Sequence, residues 1–211
     1  MGKLAEKIRK SVSGGAFTDT TLNYVLRGSA DGRYSAVKRA IKNGDFQHIR
    51  RGLYVLGEQY QSRPLNLFEV AQAVYGPSYI SFESALSYHG WIPEAVYTVT
   101  SASMKRSREF VTPLGIFSYT HIPSHKFYVG VDRIESGDGV FLLASPWRAL
   151  VDFLYAHKKE WKSLQAAADD LRLDLDSFKD VDFKMLEELS QTFRNVRVKN
   201  FIRRVKKEFL R

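Results

Sequence analysis

Residues 29–56 read SADGRYSAVKRAIKNGDFQHIRRGLYVL, and the alternation of residue types in this stretch decides the fold. From Arg33 to Asn43 the apolar residues Tyr34, Val37, Ala40 and Ile41 recur at helical spacing and form one stripe to bury. Arg33, Ser35, Lys38, Arg39 and Lys42 fall on the other faces. Asp31 stands where an N-cap belongs, and Asn43-Gly44 supplies a stop. Next come Phe46-Gln47-His48-Ile49 and Leu53-Tyr54-Val55-Leu56, two β-prone runs on either side of Arg50-Arg51-Gly52. That pattern predicts a hairpin with a basic tip.

Upstream, Lys3 to Val12 reads as a short amphipathic helix with Leu4, Ala5, Ile8 and Val12 inward, ended by Ser13-Gly14-Gly15. Phe17-Thr18 opens a second helix, with Thr18 as its N-cap and Leu22, Val25 and Leu26 as its stripe. Gly28-Ser29-Ala30 is then a turn. Helix, helix, turn, helix, hairpin is the order of a winged helix-turn-helix, so residues 1–60 are expected to form a DNA-binding domain. In that frame Arg33, Tyr34 and Ser35 occupy the first turn of the recognition helix, which reaches base edges. Arg33 or Arg39 suits a bidentate pair to guanine, worth about 1–3 kcal/mol of discrimination. Tyr34 also fits the core stripe, which is its favoured place. Lys38 and Lys42 suit phosphates. Arg50 and Arg51 at the tip suit the minor groove or the backbone, and His48 on the hairpin completes the set. The plain alternative is an exposed basic face without a ligand. Two adjacent arginines beside a glycine argue against it, since they gain little from helical pairing.

Charge is distributed in a way that supports a polyanion partner. Residues 1–60 hold eleven Lys and Arg against five Asp and Glu, residues 61–193 thirteen against seventeen, and residues 194–211 eight against one. The net charge of +9 therefore sits at the two ends of the chain. A surface charged only for solubility is the competing explanation. The absence of cysteine excludes disulfides and thiolate metal sites and suits a reducing cytoplasm. Lys3, Glu6, Lys7, Arg9 and Lys10 interrupt any signal-peptide core, and no run of about eighteen apolar residues predicts a membrane span.

Gln59 to Pro64 is polar and contains a proline, which marks it as a linker to a second domain, residues 61–211. There Asn66 caps a helix through Tyr75, Ser81 caps another from Phe82 to His89, and Pro146 opens a third through His157. Strands are expected at Val96–Ser101, Phe110-Val111, Gly115–His121, Phe127–Val131 and Val140–Ala144. Helices are expected from Trp161 through Leu171, from Asp182 to Thr192 and from Asn195 to Arg211. The fold class is thus α+β: a winged helix-turn-helix, then a larger α+β domain with a small sheet and a helical C-terminus. The basic helix over 194–211 has two open readings. It adds phosphate contacts or docks on an acidic partner, or it is a packed terminal helix whose late cations suit the macrodipole.

Arg33-Tyr34, Val37-Lys38-Arg39-Ala40 and Ile49-Arg50-Arg51-Gly52-Leu53-Tyr54 together resemble the head of AbiEi-type regulators, the antitoxins of type IV toxin–antitoxin pairs. The resemblance continues through Tyr79-Ile80-Ser81-Phe82-Glu83-Ser84-Ala85-Leu86-Ser87-Tyr88-His89-Gly90 and Thr98-Val99-Thr100-Ser101. It extends over Thr112-Pro113-Leu114-Gly115 with Phe117-Ser118-Tyr119, and ends at Leu143-Ala144-Ser145-Pro146. It implies a head that binds inverted repeats in its own promoter and represses it. It further implies a second domain that opposes a nucleotidyltransferase-type toxin, generally without a stable complex. The oligomeric state stays open, and the alternatives are a solitary winged-helix regulator with a ligand-sensing or dimerising second domain or, less favoured, a winged-helix nuclease.

Enzyme signatures are weak. His121 and His125 are separated by Pro123, which spoils a helical metal pair. Asp174-x-Asp176 lacks the glycine and distal glutamate of a calcium loop. Gly137-Asp138-Gly139 lacks a third glycine and precedes a strand, so it reads as a turn. Glu160-Trp161-Lys162 and Asp182-Phe183-Lys184 carry the letters of a nuclease metal motif but sit on or beside predicted helices. The expectation is a binding protein with no catalytic residues, no metal and no cofactor.

Overall fold

The computed structural model describes residues 2–94, 96–123, 125–137, 139–174 and 181–210. Asp138 and Asp176, in the motifs considered above, and Arg211, the last residue of the helix expected over 195–211, lie outside them. The chain is mixed α and β, and it divides into two compact units. The first comprises residues 1–76 with 111–114 and 135–140, and the second comprises 77–110, 115–134 and 141–211.

The first unit runs α1 (Lys3–Arg9), β1 (Ala16–Thr18), α2 (Asp19–Val25), α3 (Ala30–Lys42), β2 (Phe46–Arg50), β3 (Leu53–Leu56), a 3-10 turn (Glu58–Tyr60) and α4 (Leu67–Val74). β3 is the centre of a three-stranded sheet, with β1 on one edge and β2 on the other. Of Phe17 and Thr18, only Thr18 stands where expected, at the start of the second helix. Both belong to β1, where Phe17 lies opposite Tyr54, and Thr18 stands at the N-cap of α2 without a side-chain cap bond. The core joins Ala5 and Ile8 of α1 to Phe17, Leu22, Val37, Ala40, Phe46, Leu56 and Tyr60.

The expected break at residue 60 is displaced to Gly76–Pro77. The Gln59–Pro64 stretch is polar, but Tyr60 within it is buried, its hydroxyl donating to Asp45 at 2.8 Å and accepting from the Gly2 amide at 2.8 Å. α4 then packs as part of the first unit, capped as expected by Asn66, whose side-chain oxygen accepts from the amides of Phe68 and Glu69.

The second unit is built on a six-stranded sheet whose strands lie wholly or in greater part within it. They are β4 (Ser78–Ile80), β5 (Val99–Ser103), β6 (Arg108–Thr112), β7 (Gly115–His121), β8 (Val131–Ser136) and β9 (Gly139–Ala144), in the order β6-β7-β5-β4-β9-β8. β4 pairs antiparallel with β5 and parallel with β9, and β5 pairs parallel with β7. The expected strand over Phe127–Val131 is a series of turns, and the strand begins at Val131 instead. The helices are α5 (Phe82–Tyr88), α6 (Pro146–Ala156), α7 (Leu164–Leu171), α8 (Phe183–Thr192) and α9 (Val196–Phe209).

Two polar arrangements hold this unit together. The first corrects the expected cap of α5. Ser81 occupies the N-cap, but its hydroxyl donates to the Asp152 carboxylate at 2.8 Å instead of capping. Thr100 of β5 takes over: its hydroxyl accepts from the Ser84 amide at 3.0 Å and donates to the Ser81 carbonyl at 2.8 Å. Phe82, next to this point, is buried with φ of 54°, a conformation that costs a bulky residue about 1–3 kcal/mol. Thr100→Val removes both bonds at constant shape and leaves a helix N-terminal amide without an acceptor. A loss of about 1–2 kcal/mol is expected, read as a lower urea midpoint at unchanged m-value.

The second arrangement is a buried ion pair. Arg148 and Asp152, one turn apart on α6, both have fully buried side chains. The guanidinium donates to Asp152 at 2.9 Å, to the Val129 carbonyl at 2.7 Å and to the Tyr79 hydroxyl, and Tyr79 in turn donates to Asp152 at 2.8 Å. Burial pushes the Asp152 carboxyl above its ordinary range, while Arg148 and the hydroxyls of Tyr79 and Ser81 pull it back. Burial likewise holds the Tyr79 phenol well above its ordinary value, so it remains a donor.

Candidate nucleic-acid interface

α3 and the hairpin that follows it carry the residues of interest. The helix starts three residues earlier than Arg33 suggests, at Ala30, and its cap is Ser29 rather than Asp31: the Ser29 hydroxyl accepts from the Gly32 amide at 3.2 Å. Val37 and Ala40 anchor its inner face in the core. At its other end Gly44 adopts φ of +74°, which turns the chain into β2. The hairpin pairs Phe46 with Leu56, Gln47 with Val55, His48 with Tyr54 and Arg50 with Leu53, and a bulge falls between His48 and Arg50. Gly52, at φ of +77°, closes the tip. Phe17 joins the hairpin to the core, edge-on to Phe46 at 4.7 Å and stacked on Tyr54 at 5.6 Å.

The predicted residues separate into three groups. Ser35, Lys38, Arg39, Lys42, His48 and Arg51 are exposed. Tyr34, favoured for the core, is instead 70% exposed, and Ile41 is also exposed at the rim of the stripe. Val37 and Ala40 are the residues of α3 that enter the core. Two arginines are held in place. Arg33 donates to the Gly28 carbonyl at 2.5 Å, closing the turn that precedes α3. Arg50, expected at the exposed tip, is half-buried and donates to the Val74 carbonyl at the end of α4. The bulge before Arg50 redirects this side chain away from the tip, which leaves Arg51 as its exposed cation.

Arg33, Tyr34, Lys38 and His48 are brought together around an open cavity of about 540 Å³. Leu22, Val37 and Ile41 give it apolar lining. Tyr54 and Asp19 complete its wall and had no signal in the sequence beyond strand and helix pattern. Partial burial and the neighbouring Asp19, through its charge and a side-chain hydrogen bond, raise the Tyr54 phenol above its ordinary value. The arrangement offers cations, one imidazole and apolar surface side by side, which suits sugar–phosphate and thymine methyl contacts together.

Among the described residues, no three His, Asp or Glu side chains converge to hold a metal ion. The Asp182 carboxylate caps α8, accepting from the Met185 amide at 2.8 Å. His121 ends β7 with its ring on the Lys105 carbonyl. No helix among the described residues is long and apolar enough to cross a membrane. A scan against family models returns no match, and a search of curated proteins finds no similar chain.

Proposed function

We propose that the first unit is a winged helix-turn-helix that binds double-stranded DNA, with α2 and α3 as its helix pair, α3 as the recognition helix and the β2–β3 hairpin as the wing. One observation carries this proposal. The element order α1, β1, α2, α3, β2, β3, with β3 between β1 and β2, leaves Lys38, Arg39 and Lys42 exposed along α3 and Arg51 exposed at the hairpin tip. Tyr34, exposed at the fifth residue of α3, joins Ser35 among the residues available to base edges. Arg33 and Arg50 act mainly by fixing the turn and the wing, since each spends a guanidinium donor on a backbone carbonyl.

The resemblance to AbiEi-type regulators extends the proposal. The chain is an autoregulating repressor of its own operon, and its second unit opposes a nucleotidyltransferase-type toxin. A DNase footprint on the upstream sequence tests the repressor: protection over an inverted repeat is expected, and uniform cleavage at saturating protein would contradict it. Co-expression with a nucleotidyltransferase encoded beside it tests the antitoxin. Rescue of growth is expected both for the native chain and for a Lys38, Lys42 and Arg51 alanine variant, because rescue belongs to the second unit. Loss of rescue in that variant would contradict the division of roles.

A further inference from the structure

α9 carries six cations, Arg197, Lys199, Arg203, Arg204, Lys206 and Lys207, against one carboxylate, Glu208, in 14 residues. Its packing is done by Val198, Phe201, Ile202 and Val205, all buried; Arg197, Arg204 and Lys206 also make contacts within the unit, whereas Lys199, Arg203 and Lys207 are exposed. Their positions are unfavourable for the helix itself. Arg197 and Lys199 fall in or beside the first turn, where the macrodipole disfavours positive charge and no acidic residue offsets it. Lys199 and Arg203, and again Arg203 and Lys207, are like charges four residues apart. Lys206 is relieved by Glu187 at 2.5 Å, whereas Glu208 turns to the Leu164 amide at 3.1 Å. A helix whose late cations merely suit its dipole would not carry the early ones.

Two recesses flank α9, both lined by these residues. One, of about 220 Å³, is lined by Lys162, Arg197 and Arg204, by Lys159, which pairs with Asp170, and by the carboxylate residue Glu160. Arg197 and Arg204 each give one nitrogen to a backbone carbonyl, of Lys158 and Trp161 respectively, both at 3.2 Å. These bonds fix the guanidinium planes and leave other donors for a ligand. The recess is smaller than a typical small-molecule pocket and suits a phosphate group. The other, of about 320 Å³, lies between α8 and α9 and is lined by Lys199, Arg203 and Lys207 together with the paired Lys206 and Glu187.

We infer that α9, with the loop over 158–162, is a second nucleic-acid surface that grips phosphodiester backbone without reading sequence. Cations on both flanks of one helix match a polymer of regularly spaced anions, and the release of its counterions supplies the binding free energy. This surface lies within the second unit and does not depend on the reading of the first.

The test uses the full chain, a fluorescein-labelled DNA duplex of scrambled sequence, and anisotropy titrations over a salt series. Lys199→Glu, Arg203→Glu and Lys207→Glu together should flatten the log–log slope by about 0.9 for each phosphate that is no longer neutralised. The corresponding triple glutamine variant, milder for helix stability, should shift the slope in the same direction at an unchanged urea midpoint. Unchanged slopes in both variants would overturn the inference. So would displacement of the duplex by poly-glutamate as effectively as by unlabelled duplex at equal charge, since an acidic protein would then be the better occupant. If the Lys38, Lys42 and Arg51 alanine variant binds like the native chain while the α9 variants do not, the proposal for the first unit fails and this one stands.

Discussion

Changing Lys38, Lys42 and Arg51 together to alanine is expected to weaken binding to the chain's own upstream duplex about a hundredfold near physiological salt. The magnitude follows from counterion release. Each neutralised phosphate contributes a slope of about −0.9 in log affinity against log salt, so freeing three phosphates flattens it by about 2.7. At about 0.15 M salt that difference corresponds to roughly two orders of magnitude. All three side chains are exposed and away from the core of the first unit, so the urea midpoint should stay within the small range usual for surface changes. Arg33→Ala should behave differently. Its guanidinium closes the Gly28 turn, so the loss combines affinity with a lower midpoint, whereas a purely base-reading arginine would change sequence preference alone. Mobility-shift titrations on specific and scrambled duplexes, beside urea melts, separate the two.

The second large effect is on stability. Asp152→Ala should cost about 3–5 kcal/mol, because it strands the buried Arg148 guanidinium without its counter-charge and leaves the Ser81 and Tyr79 hydroxyls without their acceptor. Against a typical domain stability of about 5–15 kcal/mol, that removes a large share. Arg148→Met combined with Asp152→Leu should cost less than Asp152→Ala alone, since no buried charge remains. Urea denaturation of the single and double variants checks the order. A double variant less stable than Asp152→Ala would show that the hydrogen bonds to Tyr79 and Val129, and not the charge balance, hold this unit together.

The pair at Arg148 and Asp152 also shows where sequence reading stops. Arg and Asp four residues apart on a helix carry no mark of burial, and only the approach of Tyr79 and the Val129 turn from distant parts of the chain makes them core. Longer elements are legible because their patterns are long: the Val37 and Ala40 stripe of α3 with its Asn43-Gly44 stop, and β7 at its full extent, Gly115–His121. β1 and β4, at three residues each, are too short to show alternation, and their pairing to β3 and to β5 and β9 makes them strands.

The same limit governs the candidate site. Exposure of Lys38, Arg39 and Lys42 follows from the helical period, which any amphipathic helix obeys. Tyr34 reads as core because a tyrosine at a stripe position carries no mark of whether a partner element reaches it. Arg50 and Arg51 are adjacent and alike in sequence, yet the β2 bulge and the end of α4 hold one and leave the other at the surface. The unit boundary misleads for a related reason: hydrophilicity and a proline suggest a linker where Tyr60 in fact enters the core.

The central claim, that α3 and the hairpin tip meet DNA, is tested most directly by amide resonances of the labelled full chain during titration with its upstream duplex. The largest shifts are expected within Ala30–Lys42 and Arg50–Gly52. Saturable binding of that duplex with those amides unmoved would contradict the claim.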